Sequence, residues 1–471
     1  MASSGTLPLA TYHRAAQIGV GTYGSVLTVY NEDGEEFALK IFLDDEDDED
    51  NDDDDETSNR PSDLGALREI SCLRLIRHDN AHENIVAIAD VQSEWTEDDE
   101  HGAGTAGSLG MALPLYSAGN LADAINAGSL QSRLCKVQIA HGLLSAVAFL
   151  HDNGFMHRDI KSDNVVLLLQ ANDDDDDTSG YKPVLIDFSL AKMVDTVMYN
   201  NMTTATNIFK TTEQDEPVCH TGEVGTVTYT APEVVAREPY TEQSDLWSVG
   251  VVLLELLQNQ TLQATKNKEA ATMIDQAVTA MADQPFPDLL RGLLRKDPAS
   301  RLTARQALEH GLFGKFGLTV PSVRIIDIAA ALPFDDQEED DTENVTSNVN
   351  KSKKKGSKRN RVLERRLQTI DCVCRELNAG NPMTRHAAAE YAQQLYQLDD
   401  TLDDLAASQS LLDCIVLAYR FWELEVVDLH AMDSADKGSF AKWSLEEYVD
   451  NEATIFMIMD YCLYPRRIAA M

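Results

Sequence analysis

Gly19-Val-Gly-Thr-Tyr-Gly24, followed by Val26, places three glycines in six positions. Glycine turns tightly and carries no Cβ, so such a segment lets backbone approach phosphate groups closely. The spacing alone also fits a dinucleotide-binding turn, but that turn must open a helix. Here Ser25–Tyr30 continues as a strand pattern, so a hairpin over phosphates is expected instead. Further along stand Phe37-Ala-Leu-Lys40, His157-Arg-Asp-Ile-Lys-Ser-Asp-Asn164, Asp187-Phe-Ser189 and Ala231-Pro-Glu233. Lysines, carboxylates and an amide beside a phosphate-binding turn suit phosphoryl transfer, which depends on positioning and charge neutralisation more than on covalent help.

The elements that must hold these groups follow from periodicity. Residues 12–42 alternate as strands around the glycine turn. Leu64, Leu67, Ile70, Leu73 and Leu75 give Leu64–Arg77 helical spacing. Val86–Trp95 and Leu109–Leu115 read as strands. From Leu121 to about Phe316 the pattern is mainly helical, broken by short strands near Val165–Leu169 and Val184–Ile186. The fold class is therefore α+β, a β-rich lobe followed by a helical lobe. Residues 335–360 are polar, acidic and then basic, and 361–471 carry apolar helical stripes that predict a separate all-α domain.

Composition narrows the partners. The chain of 471 residues has 79 acids against 39 bases, a net charge of −40, which argues against a nucleic-acid surface. No run of 18 apolar residues and no basic-then-apolar leader is present, so neither a membrane partner nor secretion is expected. Seven cysteines without a CxxC pair fit a reducing compartment and argue against a zinc ribbon. Asp44–Glu56 (12 acids in 13 positions), Asp173–Asp177 and Asp335–Glu343 read as solvated loops or linkers rather than cation sites.

Taken in order and spacing, the motifs resemble those of eukaryotic-type serine/threonine protein kinases over residues 12–320, with acidic insertions at 44–60 and 170–181. The resemblance implies a bilobal fold, ATP and Mg2+ as cofactors and a protein substrate. Carried onto this chain, Ile18, Gly19, Gly21, Gly24, Val26, Ala38, Leu113 and Leu115 would surround ATP. Lys40 would pair with its phosphates and with Glu69. Asn164 and Asp187 would hold metal, Asp159 would accept or orient the substrate proton, and Lys161 would steady the γ-phosphate. Asp245 would brace the catalytic loop, and Arg301 would pair with Glu233. Ser189 stands where glycine is usual, which predicts a stiffer segment. A pseudokinase scaffold is the rival reading, opposed by the intact set of Lys40, Glu69, Asp159, Asn164 and Asp187.

Three stretches resemble cyclin-dependent kinases more closely. Thr22 and Tyr23 match inhibitory phosphosites, Arg68-Glu-Ile-Ser71 after Pro61-Ser62 resembles the cyclin-binding helix, and Thr221 matches the activating phosphosite. Arg68, Arg158 and Lys192 would form its phosphate pocket, with lysine lacking the bidentate fork of arginine. Thr230 replaces the arginine of proline-directed enzymes, so proline direction does not follow. Residues 361–471 resemble a single cyclin box, through Leu417-Ala-Tyr-Arg-Phe-Trp-Glu423 and the stretch from Glu452 to Pro465, with Arg420 and Glu452 as the contact pair. An intramolecular kinase–cyclin-like contact is expected, with exchange between chains open, as is a generic docking or dimerisation bundle. Lys351–Arg366, which runs from the linker 321–360 into the start of the next domain, has nine bases in 16 positions and fits a nuclear signal or a solvated linker; a cytoplasmic or nuclear location is expected.

Overall fold

The computed structural model describes residues 13–21, 24–42, 61–77, 82–95, 108–170, 180–193, 226–238, 240–264, 266–281 and 285–325, with a few helical positions between 384 and 418. Strands β1 (His13–Gly21), β2 (Gly24–Tyr30) and β3 (Glu36–Ile41) precede helix α1 (Pro61–Arg77), followed by β4 (Asp90–Trp95) and β5 (Ser108–Pro114). These strands form one antiparallel sheet in the order β1-β2-β3-β5-β4. Strand period places alternate residues on opposite faces. Leu27, Val29, Leu39, Ile41 and Ala112 therefore make a small core on one face. Val26, Ala38 and Lys40 take the other face, with Val26 opposite Lys40 and Ala38 opposite Leu113.

The second lobe holds α2 (Leu121–Asn126), α3 (Arg133–Asp152), two short two-stranded sheets made of β6 (Phe155–Met156) with β9 (Lys192–Met193) and β7 (Val165–Gln170) with β8 (Gly180–Leu185), then α4 (Pro232–Val235), α5 (Gln243–Gln258), α6 (Asn267–Ala280), α7 (Pro285–Leu293), α8 (Ala304–Leu308) and α9 (Gly311–Gly314). Asn120 caps α2 by accepting from the Asp123 amide, and Thr303 and Gln306 close a capping box on α8. Helix α3 is long and apolar enough by composition to cross a membrane, but most of that stretch is buried as the spine of this lobe.

Several boundaries depart from the periodicity. Helix α1 begins at Pro61, where proline suits the first turn. The expected strand at Val86–Trp95 starts only at Asp90: Val86 and Ala89 donate their amides to Leu185 and Ala112 from an extended segment outside the ladder. The insertion expected at 170–181 shrinks, because Gln170 pairs with Gly180. Residues 321–325, expected to begin the linker, lie against the helical lobe. Arg305 donates to the Pro321 carbonyl, Asn153 donates to the Arg324 carbonyl (2.9 Å), and the Arg324 guanidinium stands 5.6 Å from the Phe149 ring centroid.

Candidate active site

Between the lobes opens a cleft of about 580 Å³. Ile18, Val26, Ala38, Leu113 and Leu115 line it as an apolar slot, and Lys40, Glu69, Asp159, Lys161, Asn164 and Asp187 converge at its polar end. The glycines Gly19, Gly21 and Gly24 stand in β1 and β2, with Gly21 paired to Gly24 and Gly19 to Val26.

Lys40 leaves β3 and donates to Glu69 of α1 at 2.6 Å and to Asp187 at 3.4 Å. Burial pulls the Lys40 ammonium down, but the two carboxylates outweigh it and hold it above the usual lysine range. On Glu69 burial works the other way and raises the carboxyl, with Lys40 opposing. For this pair we take an ammonium held charged by two acids, since a 2.6 Å contact is charge-assisted. Asp187 feels burial upward, yet Lys40 and the Ser189 hydroxyl turn the net shift downward and keep it ionised.

Asp159 sits at the centre of a donor network. Its Oδ2 accepts from Lys161 (2.7 Å) and from the Asn164 amide (3.0 Å), and its Oδ1 lies 3.4 Å from the Thr226 hydroxyl. The loop that carries it is clamped from below. The buried Asp245 of α5 accepts the backbone amides of His157 and Arg158, both at 2.9 Å, and the His151 ring at 3.0 Å. That clamp sustains Arg158 at φ 67°, a left-handed backbone an arginine adopts only at a cost. His157 is buried, its Nε2 lies 3.1 Å from the Ile186 carbonyl, and its ring meets Phe188 edge-on with centroids 4.8 Å apart. Burial lowers its pKa, so it stays a neutral positioning ring. At the far side of α5, Arg301 meets Glu233 through two hydrogen bonds, 2.7 and 3.0 Å, with both side chains buried.

The chain matches the protein kinase domain family over residues 12–313, well over half its length. It belongs to that family. The kinase chain is 27% identical to the serine/threonine-protein kinase PKZ1 of Phytophthora infestans over 307 residues, covering 62% of this chain and 68% of that protein. It is 26% identical to calcium-dependent protein kinase 15 of Oryza sativa subsp. japonica over 310 residues, 64% of this chain and 48% of the relative. Kinases of this family use ATP, typically with Mg2+.

The kinase cleft also recruits residues that sequence reasoning passed over. Tyr116 extends the wall beyond Leu115, Val86, Val166 and Ile186 add apolar cover, and Thr226 reaches the Asp159 carboxylate from the far end of the segment that starts at Asp187. Alternation hints at Val166, two after Asn164, and at Ile186, one before Asp187; nothing local marks Thr226. Of the expected phosphate pocket, Arg68 lies buried on α1, Arg158 donates to the Leu190 carbonyl (2.6 Å), and Lys192 pairs with Met156 two residues before Arg158. Thr22, Tyr23, Thr221, Arg420 and Glu452 lie outside the described residues.

Proposed function

We propose that this cleft transfers the γ-phosphoryl group of ATP to protein hydroxyls, with the roles divided among its own residues. The chain is an ATP-dependent protein serine/threonine kinase. The apolar slot from Ile18 to Leu115 suits the adenine, and Lys40, fixed by Glu69, is positioned for the phosphates. The donor set fits a hard cation. Asn164 spends its amide nitrogen on Asp159, which leaves its amide oxygen, and Asp187 has both neighbouring donors on Oδ1, which leaves Oδ2. Asn164 and Asp187 would hold Mg2+ there, and the ion would supply positive charge against the negative charge of the transferring phosphoryl group. Asp159 orients and accepts the substrate hydroxyl proton. Lys161, 2.7 Å from Asp159, adds positive charge where the moving phosphoryl must pass.

The observation that carries this reading is the convergence of Asp159, Asn164, Asp187 and the Lys40–Glu69 pair on one cleft. Its test is phosphate transfer from labelled ATP by Asp159→Asn and Lys40→Met. Each should lose at least ~100-fold while remaining folded, the scale of single electrostatic contacts in active sites. Activity like the unsubstituted enzyme in either variant refutes the assignment.

The C-terminal residues complete the proposal: they activate the kinase by covering α1, in the manner of a cyclin. What supports this is the helix itself. From Gly65 to Ile76 all but Arg74 are buried, including Leu67 and Ser71 on the side away from Glu69. A helix packed on a single sheet keeps one face solvated. The buried Ala387, Ala388, Tyr391, Cys414, Ile415, Leu417 and Ala418 belong to the same continuous core as Ala66, Leu67 and Ile70. Leu417 and Ala418 open the stretch that resembles the cyclin helix.

A further inference from the structure

Ser189 occupies the position where the family resemblance leads one to expect glycine, and its side chain is fully buried. Its Oγ donates to Asp187 Oδ1 at 2.8 Å, the same oxygen that Lys40 reaches at 3.4 Å. Asp187 itself stands at φ 63°, whereas Ser189 is not among the described residues with positive φ. The backbone at Ser189 therefore needs no glycine in this conformation, and a side chain there removes alternatives that glycine would permit. Neighbouring contacts fix the rest of the segment. The Phe188 amide points to Glu69 (3.3 Å), the Ala191 amide to the Phe188 carbonyl (2.9 Å), and the Phe188 ring is buried against His157.

We infer that Ser189 is a positioning residue: its hydroxyl latches Asp187 through Oδ1, which presets Oδ2 for Mg2+ and holds the segment in its metal-ready conformation. The inference rests on reading Asp187 as a metal ligand. Two donors on one oxygen leave the carboxylate with a single open edge, so the rotamer is chosen before the cation arrives. Without the hydroxyl, Lys40 alone, at the longer distance, orients the group, and metal binding must supply the ordering. A hydrogen bond to a charged group is partly replaced by water when lost, so the effect is placed at roughly 3- to 10-fold in the Mg2+ required.

The test uses the full chain with a non-transferable ATP analogue. Thermal protection is followed as free Mg2+ is titrated, beside a chelator control, for the unsubstituted protein, Ser189→Ala, Ser189→Gly and Asp187→Asn. Both Ser189 variants should raise the half-saturating Mg2+ roughly 3- to 10-fold while leaving analogue binding in chelator unchanged. Hydrogen exchange at the Ala191 amide should speed up in the order unsubstituted, Ala, Gly. If Asp187→Asn abolishes the Mg2+ dependence but both Ser189 variants titrate like the unsubstituted protein, the latch alone is overturned. If chelator binding weakens as much as Mg2+ binding, the serine is merely packing and the latch also falls. If Asp187→Asn keeps the full Mg2+ dependence, the metal-ligand reading falls and takes the latch with it.

Discussion

Glu255 is a fully buried carboxyl on α5 whose charge state should be visible in the stability of the kinase. Its oxygens accept the Tyr229 hydroxyl (3.0 and 3.1 Å) and the Leu262 amide (2.7 Å), and the Tyr229 hydroxyl in turn meets Ser162 of the catalytic loop at 2.9 Å. Burial dominates these partners and raises the carboxyl from 4.5 to about 7. A raised folded-state pKa means that the folded protein holds this proton more tightly than the unfolded chain. The contribution to stability is thus fully present below pH 4.5 and is lost as pH rises through about 7. At about 1.4 kcal/mol per pH unit, the interval from 4.5 to about 7 corresponds to ~3 kcal/mol. Glu255→Gln keeps the shape and removes the titration. Relative to the unsubstituted protein it should gain stability from about pH 4.5 to about pH 7, by up to ~3 kcal/mol, and the difference should flatten outside that range. Urea unfolding at four pH values, followed by tryptophan fluorescence including that of Trp247 on the same helix, measures it. Parallel curves for the two proteins, or a difference that shrinks with rising pH, would refute the buried-carboxyl argument.

Arg301→Met should destabilise by about 3–5 kcal/mol, because it strands the buried Glu233 carboxylate, and a midpoint change worth under ~1 kcal/mol would contradict the ion pair. Thr221→Ala should lower activity if phosphate at Thr221 orders Arg68, Arg158 and Lys192 (a phosphate brings about −1.5 to −2 charge); equal activity at high phosphate occupancy, read by mass spectrometry, rules the switch out. Residues 1–335 alone should be weakly active and recover when residues 355–471 are added, and Arg420→Glu should blunt the recovery. A truncated enzyme as active as the full chain, unaffected by that variant, ends the cyclin-like reading.

The polar end of the cleft was legible because its chemistry is written in residue identity and spacing. Lys40, Asp159, Asn164 and Asp187 have types that few other patterns require, and the structure brings them to one place. The partners of Asp245 and Arg301, 88 and 68 residues distant, came from resemblance, since no local pattern links such residues. Apolar periodicity did less well at edges. Val86–Ala89 are buried or half-buried and extended, so they read as a strand, yet their hydrogen bonds go to Leu185 and Ala112 outside the ladder. Periodicity reports burial, not pairing. Glu255 and Tyr229 left no signal at all: a glutamate in an apolar helix can be a solvated edge or a buried acid, and only packing decides.

Helix α1 ties burial to the geometry of the cleft. Its spacing marks one apolar stripe, and the polar Arg68, Glu69 and Ser71 are buried as well. Glu69 can stay there because Lys40 meets it at 2.6 Å and the Phe188 amide points to it at 3.3 Å. That pairing binds the helix to β3 and to the segment at Asp187–Phe188 at once. An outward shift of α1 would uncouple Lys40 from Glu69 and leave a lone lysine to face Asp187 and the phosphates. On the proposed function, whatever buries the far face, around Leu67 and Ser71, would act on catalysis without touching ATP, by holding Glu69 within reach of Lys40. A helix whose inner face carries the site and whose outer face is covered transmits occupancy of one face to geometry on the other.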